Sequence, residues 1–109
     1  MTVQGLATAC DLKVLACPDP EREIDGVYIG DLLSWVMGKA GEGNAWITIM
    51  SNLNVIAVAS LTDVSAILLA EGVTLDREVK KAAEEKGINV LSAKLSAYEA
   101  AVKADGLLK

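Results

Sequence analysis

Three short, strongly apolar segments lie near residues 46, 66 and 89, and their spacing of about twenty residues constrains the fold more than any other feature. A strand followed by a helix that returns the chain to the same end of a sheet needs about that length. Segments built from Ala, Val, Ile and Leu are typical of buried parallel strands that helices flank. The spacing therefore predicts an α/β fold with a mostly parallel sheet.

The length and composition of the chain predict a single folded domain. Its 109 residues are 52% hydrophobic and 23% charged. This composition is far from that of a disordered chain, and the length suits one core but not two. We therefore expect one small domain over residues 1–109, with helices on a mostly aliphatic core.

Glycine, proline and polar residues divide the chain into alternating strands and helices. The strand predictions are residues 13–16, 24–29, 45–49, 65–70 and 88–91. The helices are predicted to begin at Thr2, at Gly30 or Asp31, at Asn52 or Asn54, at Thr74 or Asp76, and at Ser92 or Ser96. Side chains of these polar types can accept hydrogen bonds from the free N–H groups of a first helical turn. Gly106 is expected to end the last helix, and the loop of residues 18–22 should lie on the surface.

Residues 54–62 are ambiguous between helix and strand. Their high content of β-branched residues favours a strand. Strong strand candidates lie on both sides, however, and the intervening length is what a parallel crossover helix requires. We predict a helix on the basis of this context.

Several classes of function conflict with the composition. The chain has no His, which is the commonest general base and metal ligand. Its two cysteines, Cys10 and Cys17, do not have the spacing of a zinc knuckle or a redox pair, so we expect two reduced thiols. The Gly38–Gly43 segment lacks the Ser or Thr of a phosphate loop and follows a helix instead of preceding one. No catalytic group, metal site or cofactor is predicted.

Charge and hydropathy exclude further partners. The formal net charge of −5 repels a nucleic-acid backbone, and the longest basic run is Lys80-Lys81. The apolar runs are too short to cross a bilayer, and no basic segment followed by an apolar one opens the sequence. We therefore expect a cytoplasmic protein that binds neither nucleic acid nor membrane.

The turn before the third predicted helix is the candidate ligand site. Ser51, Asn52 and Asn54 lie between the end of a strand and the start of a helix, where α/β sheets usually bind ligands. Their amides and side chains could hold a small anion. Asp31 is a further candidate, since it would place a carboxylate at the start of the second predicted helix. The alternative is that these side chains only cap helices and complete turns.

Three large side chains are candidates for a protein interface. Trp35 and Met37 lie on or beside the edge of the apolar face of the second predicted helix, and Tyr98 lies on the last helix. A small core leaves such residues as exposed apolar surface, which a second copy of the chain would bury. Trp35 either covers an edge of the core or contacts another subunit. Of the three residues it is the first choice for the contact, since large flat side chains contribute most to interface energy.

The chain resembles the DRTGG domain family. The resemblance is carried by residues 26–34, 46–48, 66–72, 76–87 and 88–91. Ser51-Asn52-Leu53 stands where the family has its Asp-Arg-Thr cluster, and Glu71-Gly72 stands in place of the glycine pair. Members are small α/β modules, similar to the N-terminal domain of HPr kinase/phosphorylase, that accompany CBS pairs and other regulatory or metabolic domains or stand alone.

The resemblance implies a regulatory role without catalysis. Together with the missing His and nucleotide loop, it leads us to expect a homodimeric, non-catalytic module that senses a small anionic ligand or docks on a protein partner. The alternative is an accessory subunit of a phosphotransferase or kinase system, which the likeness to HPr kinase suggests and the missing phosphate loop opposes.

Overall fold

In the computed structural model, which describes residues 1–109, five strands alternate with five helices. The strands are β1 (Lys13–Ala16), β2 (Gly26–Ile29), β3 (Asn44–Thr48), β4 (Ala66–Leu69) and β5 (Val90–Ser92). The helices are α1 (Val3–Ala9), α2 (Leu33–Lys39), α3 (Leu53–Thr62), α4 (Arg77–Lys86) and α5 (Ala97–Leu108).

The five strands form one sheet in the order β1-β5-β4-β3-β2. Strands β2 to β5 are parallel and pair in chain order. The twenty-residue spacing predicted the parallel direction of the last three. Strand β1 pairs antiparallel with β5, and its register shifts between Val14 and Ala16. The mostly parallel α/β sheet predicted from the sequence is therefore confirmed, with β1 and β2 as its two edges.

Helices cover both faces of the sheet. Buried residues of α2, α3 and α4 pack with one face in a core that includes Trp46 and Leu69. Buried residues of α1 and α5 pack with the other face in a second core that includes Ile47 and Leu68. Because successive side chains of a strand point to opposite faces, each central strand contributes to both cores.

Residues 53–62 form helix α3, so the choice of helix over strand is confirmed. Four of its residues are buried: Val55, Ile56, Val58 and Ala59. The Asn52 side chain accepts a hydrogen bond from the Val55 N–H at 3.3 Å and caps the helix. Buried packing and the crossover geometry override the strand propensity of the β-branched residues.

The boundaries differ from the sequence predictions at several places, and the ends of β3, β4 and β5 shift by one or two residues. Helix α2 has Leu32 at its N-cap with no side-chain hydrogen bond, instead of Gly30 or Asp31, because the Asp31 carboxylate binds residues at the end of β3. Strand β2 begins at Gly26 instead of residue 24. Helix α5 continues through Gly106, and a 2.8 Å ion pair between Asp105 and Lys109 supports its last turn.

Candidate functional site

The loops that follow the four parallel strands all lie on one side of the molecule, at the carboxyl ends of these strands. These loops carry Asp31 after β2, Ser51 after β3, Gly72 after β4 and Lys94 after β5. Because β1 runs antiparallel, its first residue, Lys13, lies at this same edge, paired with Ser92. We call this side of the molecule the carboxyl edge.

The loops after β4 and β5 lead to opposite faces of the sheet. The chain leaves β4 for α4, whose buried residues pack in the core with Trp46. It leaves β5 for α5, whose buried residues pack in the core with Ile47. Where neighbouring loops diverge in this way, open α/β sheets form a crevice that usually binds ligands.

A cavity of about 620 Å³ occupies this crevice. We call it the lysine cavity; it is lined by Cys10, Asp11, Leu12, Lys13, Gly72, Thr74, Ser92, Lys94, Leu95 and Lys103. The lining comes from the turn before β1, the loops after β4 and β5, and helix α5. Its volume is within the range of small-molecule sites.

The lysine cavity is cationic in a chain of opposite charge. Lys13, Lys94 and Lys103 line it, against one acidic residue, Asp11. None of these four side chains takes part in the ion pairs of the structure. The cavity therefore concentrates positive charge, whereas the chain as a whole carries −5.

Backbone geometry adds hydrogen-bond donors to the cavity wall. Glu71 and Gly72 turn the chain after β4 with positive φ angles of 59° and 70°. The backbone N–H groups of Thr74, Lys94 and Leu95 donate no hydrogen bond to another protein atom. These groups are available to acceptor atoms of a ligand.

The remaining polar groups of the wall show no activated nucleophile. The Ser92 hydroxyl donates to the Val73 carbonyl at 2.7 Å, so its proton is already committed. Burial raises the pKa of the Cys10 thiol, and the charge of Lys103 only partly opposes that rise. A thiol with a raised pKa stays protonated near neutral pH and is a weak nucleophile.

The second cysteine lies outside the lysine cavity. Burial and the neighbouring Asp19 raise the pKa of the Cys17 thiol. Both cysteines are free, as the sequence predicted. No cluster of three or more His, Cys, Asp or Glu side chains is placed to hold a metal ion.

The residues predicted as a ligand site lie at the other half of the carboxyl edge. Asp31 accepts hydrogen bonds from the Thr48 hydroxyl at 2.6 Å and from the Ile49 N–H at 3.2 Å. Asn52 caps α3, and Asn54 is exposed in the first turn of that helix. The loops after β2 and β3 lead to helices on the same face, so no crevice opens between them.

None of the four sequence-predicted ligand residues lines a cavity: Asp31, Ser51, Asn52 and Asn54. The lysine cavity was not foreseen because its lysines are far apart in sequence. Only the antiparallel pairing of β1 brings Lys13 beside the loop after β5. Lys94, three residues after the last predicted strand, was the one local signal, and a lysine is common on any surface.

The three interface candidates are all exposed but do not form one surface. Trp35 is 61% exposed, with the Lys39 ammonium 5.2 Å from its ring centre, so it does not cover an edge of the core. Met37 is on the same helix, α2. Tyr98, 76% exposed, is on α5 and therefore on the opposite face of the sheet.

Tyr98 belongs to a separate shallow groove. With Ile29 and Val102 it contributes to a depression of about 290 Å³ between β2 and α5. All three side chains are exposed, and Val27 and Ala101 add further apolar surface.

No helix of the protein is both long enough and apolar enough to cross a membrane.

Comparisons with known proteins agree with this fold. The structure is similar to that of the CBS and DRTGG domains of the regulatory region of Clostridium perfringens pyrophosphatase, complexed with the activator diadenosine tetraphosphate. The TM-score is 0.72 at 14% identity, and the match covers 91% of this chain but 44% of that one. No curated protein matches the sequence. The family model of the DRTGG domain matches residues 6–107, nearly the whole length, and the chain therefore belongs to the DRTGG domain family.

Proposed function

We propose that this DRTGG domain is a non-catalytic regulatory module that binds a small ligand at its carboxyl edge and passes the effect to a partner protein or domain. The observation that carries the proposal is the lysine cavity, formed where the loops after β4 and β5 diverge. Its wall offers charges and hydrogen-bond donors but no nucleophile paired with a base. Such a wall is suited to binding and not to chemistry.

The structural neighbour supports a regulatory role. It is a regulatory region in complex with an activator. A domain of the same fold in this chain can act in the same way, with ligand binding as the signal. Stabilisation of one conformation by a bound ligand is sufficient to alter what a partner contacts.

The turn around α3 is a second proposed contact surface. Ser51 and Asn54 keep side chains that make no hydrogen bond within the protein. Asn52 and Asp31 are engaged in local structure. We expect this half of the carboxyl edge to meet a protein partner or a small anion through its exposed groups.

A thermal-shift screen tests the proposed function. The compounds are nucleotides that include diadenosine tetraphosphate, acyl phosphates, small anions, and uncharged nucleosides and sugars. A ligand at a hundredfold excess over its dissociation constant adds about 2.7 kcal/mol to the free energy of unfolding. A shift with any of these compounds supports ligand sensing, and no shift with any of them would leave protein docking as the only role.

The same purified protein separates regulation from catalysis. We expect no transfer of label from γ-labelled ATP to the domain or, through it, to proteins of a cell extract. The reason is that no loop cradles a triphosphate and no base activates an acceptor. Transfer that depends on the domain would support the accessory-subunit role in a phosphotransferase or kinase system instead.

We also propose that two copies of the chain associate through the groove between β2 and α5. Strand β2 is an edge strand of four residues that contains no charged residue and no Pro, two of the features that oppose pairing with another chain. Ile29, Tyr98 and Val102 flank it with exposed apolar surface. A two-fold dimer would bury this surface on both copies at once.

A further inference from the structure

We propose that the lysine cavity binds the phosphate group of a phosphorylated small molecule through Lys13, Lys94 and Lys103. This inference rests on the proposed function and names both the ligand class and the place where it binds. It assigns the phosphate to the crevice between the loops after β4 and β5, and leaves the turn that contains Asn52 as a separate contact surface.

Charge selects an anion for this cavity. Three exposed lysines face it and one aspartate does, a local charge of +2. Because none of these lysines is paired with a carboxylate within the protein, no ion pair must break for a ligand to bind. On binding, the anion would displace only the water that hydrates the lysine ammonium groups.

The number of donors favours a phosphate over a carboxylate, which has only two oxygens. The cavity contains three lysines and no arginine, so its cations are separate point charges. Lysines act as point charges that can surround the several oxygens of a phosphate. The free N–H groups of Thr74, Lys94 and Leu95 provide further donors for those oxygens.

The shape of the cavity indicates a ligand larger than inorganic phosphate. Its volume of about 620 Å³ suits a ligand with an organic part. Leu12 and Leu95 add apolar surface to the wall, and both also border a small apolar void against Leu68. The structure therefore points to a phosphate ester whose organic part rests on these leucines.

Cys10 provides a reporter inside the cavity, and Cys17 provides its control outside. The Lys103 charge partly opposes the rise that burial causes in the pKa of the Cys10 thiol. A bound phosphate would shield that charge, so the pKa of Cys10 would rise further, and it would also block access to the thiol. Each thiol is alkylated with iodoacetamide at pH 8 and its rate is followed by mass spectrometry. Pyrophosphate should reduce the Cys10 rate to less than about half while the Cys17 rate stays constant, with sodium chloride at equal ionic strength as the blank.

Charge-removing variants complete the test. Lys13→Gln, Lys94→Gln and Lys103→Gln should each weaken pyrophosphate binding by about tenfold, the loss expected for one charge-assisted hydrogen bond. Lys80→Gln, on an exposed residue of α4 outside this cavity, removes the same charge and should bind like the parent protein. Adenosine, ribose and their monophosphates then distinguish the phosphate group from the organic part.

Three results would overturn this inference. The first is an unchanged Cys10 rate with pyrophosphate and with every phosphate ester, and the second is binding that the three lysine variants leave intact. An uncharged compound that binds as tightly as its phosphate ester would also overturn it, while the proposed ligand sensing would stand. Only the absence of any ligand in the wider screen would defeat both.

Discussion

The buried side chain of Asn89 closes a reciprocal pair of hydrogen bonds with the backbone of Asp19. Its amide nitrogen donates to the Asp19 carbonyl at 2.8 Å, and its amide oxygen accepts from the Asp19 N–H at 3.0 Å. The same nitrogen donates to the Ser65 carbonyl at 2.9 Å. One side chain thus fastens the proline-containing loop of residues 18–22 to the start of β4 and β5.

Asn89→Ala should lower the free energy of unfolding by about 3 kcal/mol, because it leaves the Ser65 carbonyl and the Asp19 N–H without partners. Urea denaturation followed by Trp fluorescence measures the change as a lower midpoint at an unchanged slope. Asn54→Ala, an exposed asparagine on α3, is the matched control and should leave the midpoint within error. Equal midpoints for the two variants would show that the pairing with Asp19 contributes little.

The turn after β4 contains a residue in a conformation that favours glycine. Glu71 has φ of 59°, in the left-handed region, where a side chain is unfavourable. Glu71→Gly should therefore be more stable than Glu71→Ala by about 0.5–1 kcal/mol, although glycine is more flexible in the unfolded chain. Comparing the two variants isolates the backbone, since both lack the carboxylate. An Ala variant as stable as the Gly variant would contradict this account of the turn.

The start of α5 predicts a specific dependence on pH. The Ser96 hydroxyl accepts from the Glu99 N–H, and the Glu99 carboxylate accepts from the Ser96 N–H, which holds the pKa of Glu99 below its ordinary value. A depressed pKa means that this stabilisation is present above the pKa of Glu99 in the unfolded chain. It is lost as the pH falls through the lower pKa of the folded state.

Glu99→Gln keeps the side-chain acceptor but removes the titration. The parent should exceed this variant in unfolding midpoint at pH 7, and the difference should shrink as the pH falls below the ordinary pKa of a glutamate. Denaturation curves at several pH values measure it, and chloride is held constant to keep screening equal. A difference that does not change with pH would mean that the Glu99 charge plays no part.

Self-association distinguishes the two exposed aromatic surfaces. Light scattering should give about twice the chain mass of 11.4 kDa at micromolar concentration. Tyr98→Ala and Val102→Lys, in the groove beside β2, should lower that mass, because they remove or oppose the apolar contact. Trp35→Ala tests the residue favoured by sequence alone and should leave the dimer intact. A monomer at high concentration, or a dimer that only Trp35→Ala disrupts, would contradict the choice of the groove.

The sequence could predict the central sheet because buried parallel strands have a local signature. The apolar runs around Trp46 and Ile67 and the crossover length between them predict that these two strands are parallel. Helix α3 required that context, since the exposed Leu53, Ala57 and Leu61 add apolar residues opposite its buried face and leave no clear periodicity. The predicted start of α2 was wrong because the Asp31 carboxylate, which was expected to cap the helix, accepts a tertiary hydrogen bond from Thr48 instead.

The candidate site depended on information that no local pattern holds. Asn52 caps a helix, as one sequence interpretation allowed, but the crevice depends on which face each following helix covers. That α4 and α5 pack on opposite faces is a property of the whole fold. The antiparallel direction of β1, which brings Lys13 to the cavity, is of the same kind.

Backbone amide shifts during a pyrophosphate titration test the central claim, ligand binding in the lysine cavity, most directly. A ¹H–¹⁵N NMR experiment on the labelled protein reports both halves of the carboxyl edge at once. The account predicts saturable shifts centred on four residues of the cavity wall. These are Thr74, Lys94 and Leu95, whose N–H groups are free, and Gly72, in the turn after β4. Saturable shifts centred instead on residues 51–54, or no saturable shifts with pyrophosphate or any phosphate ester, would contradict it.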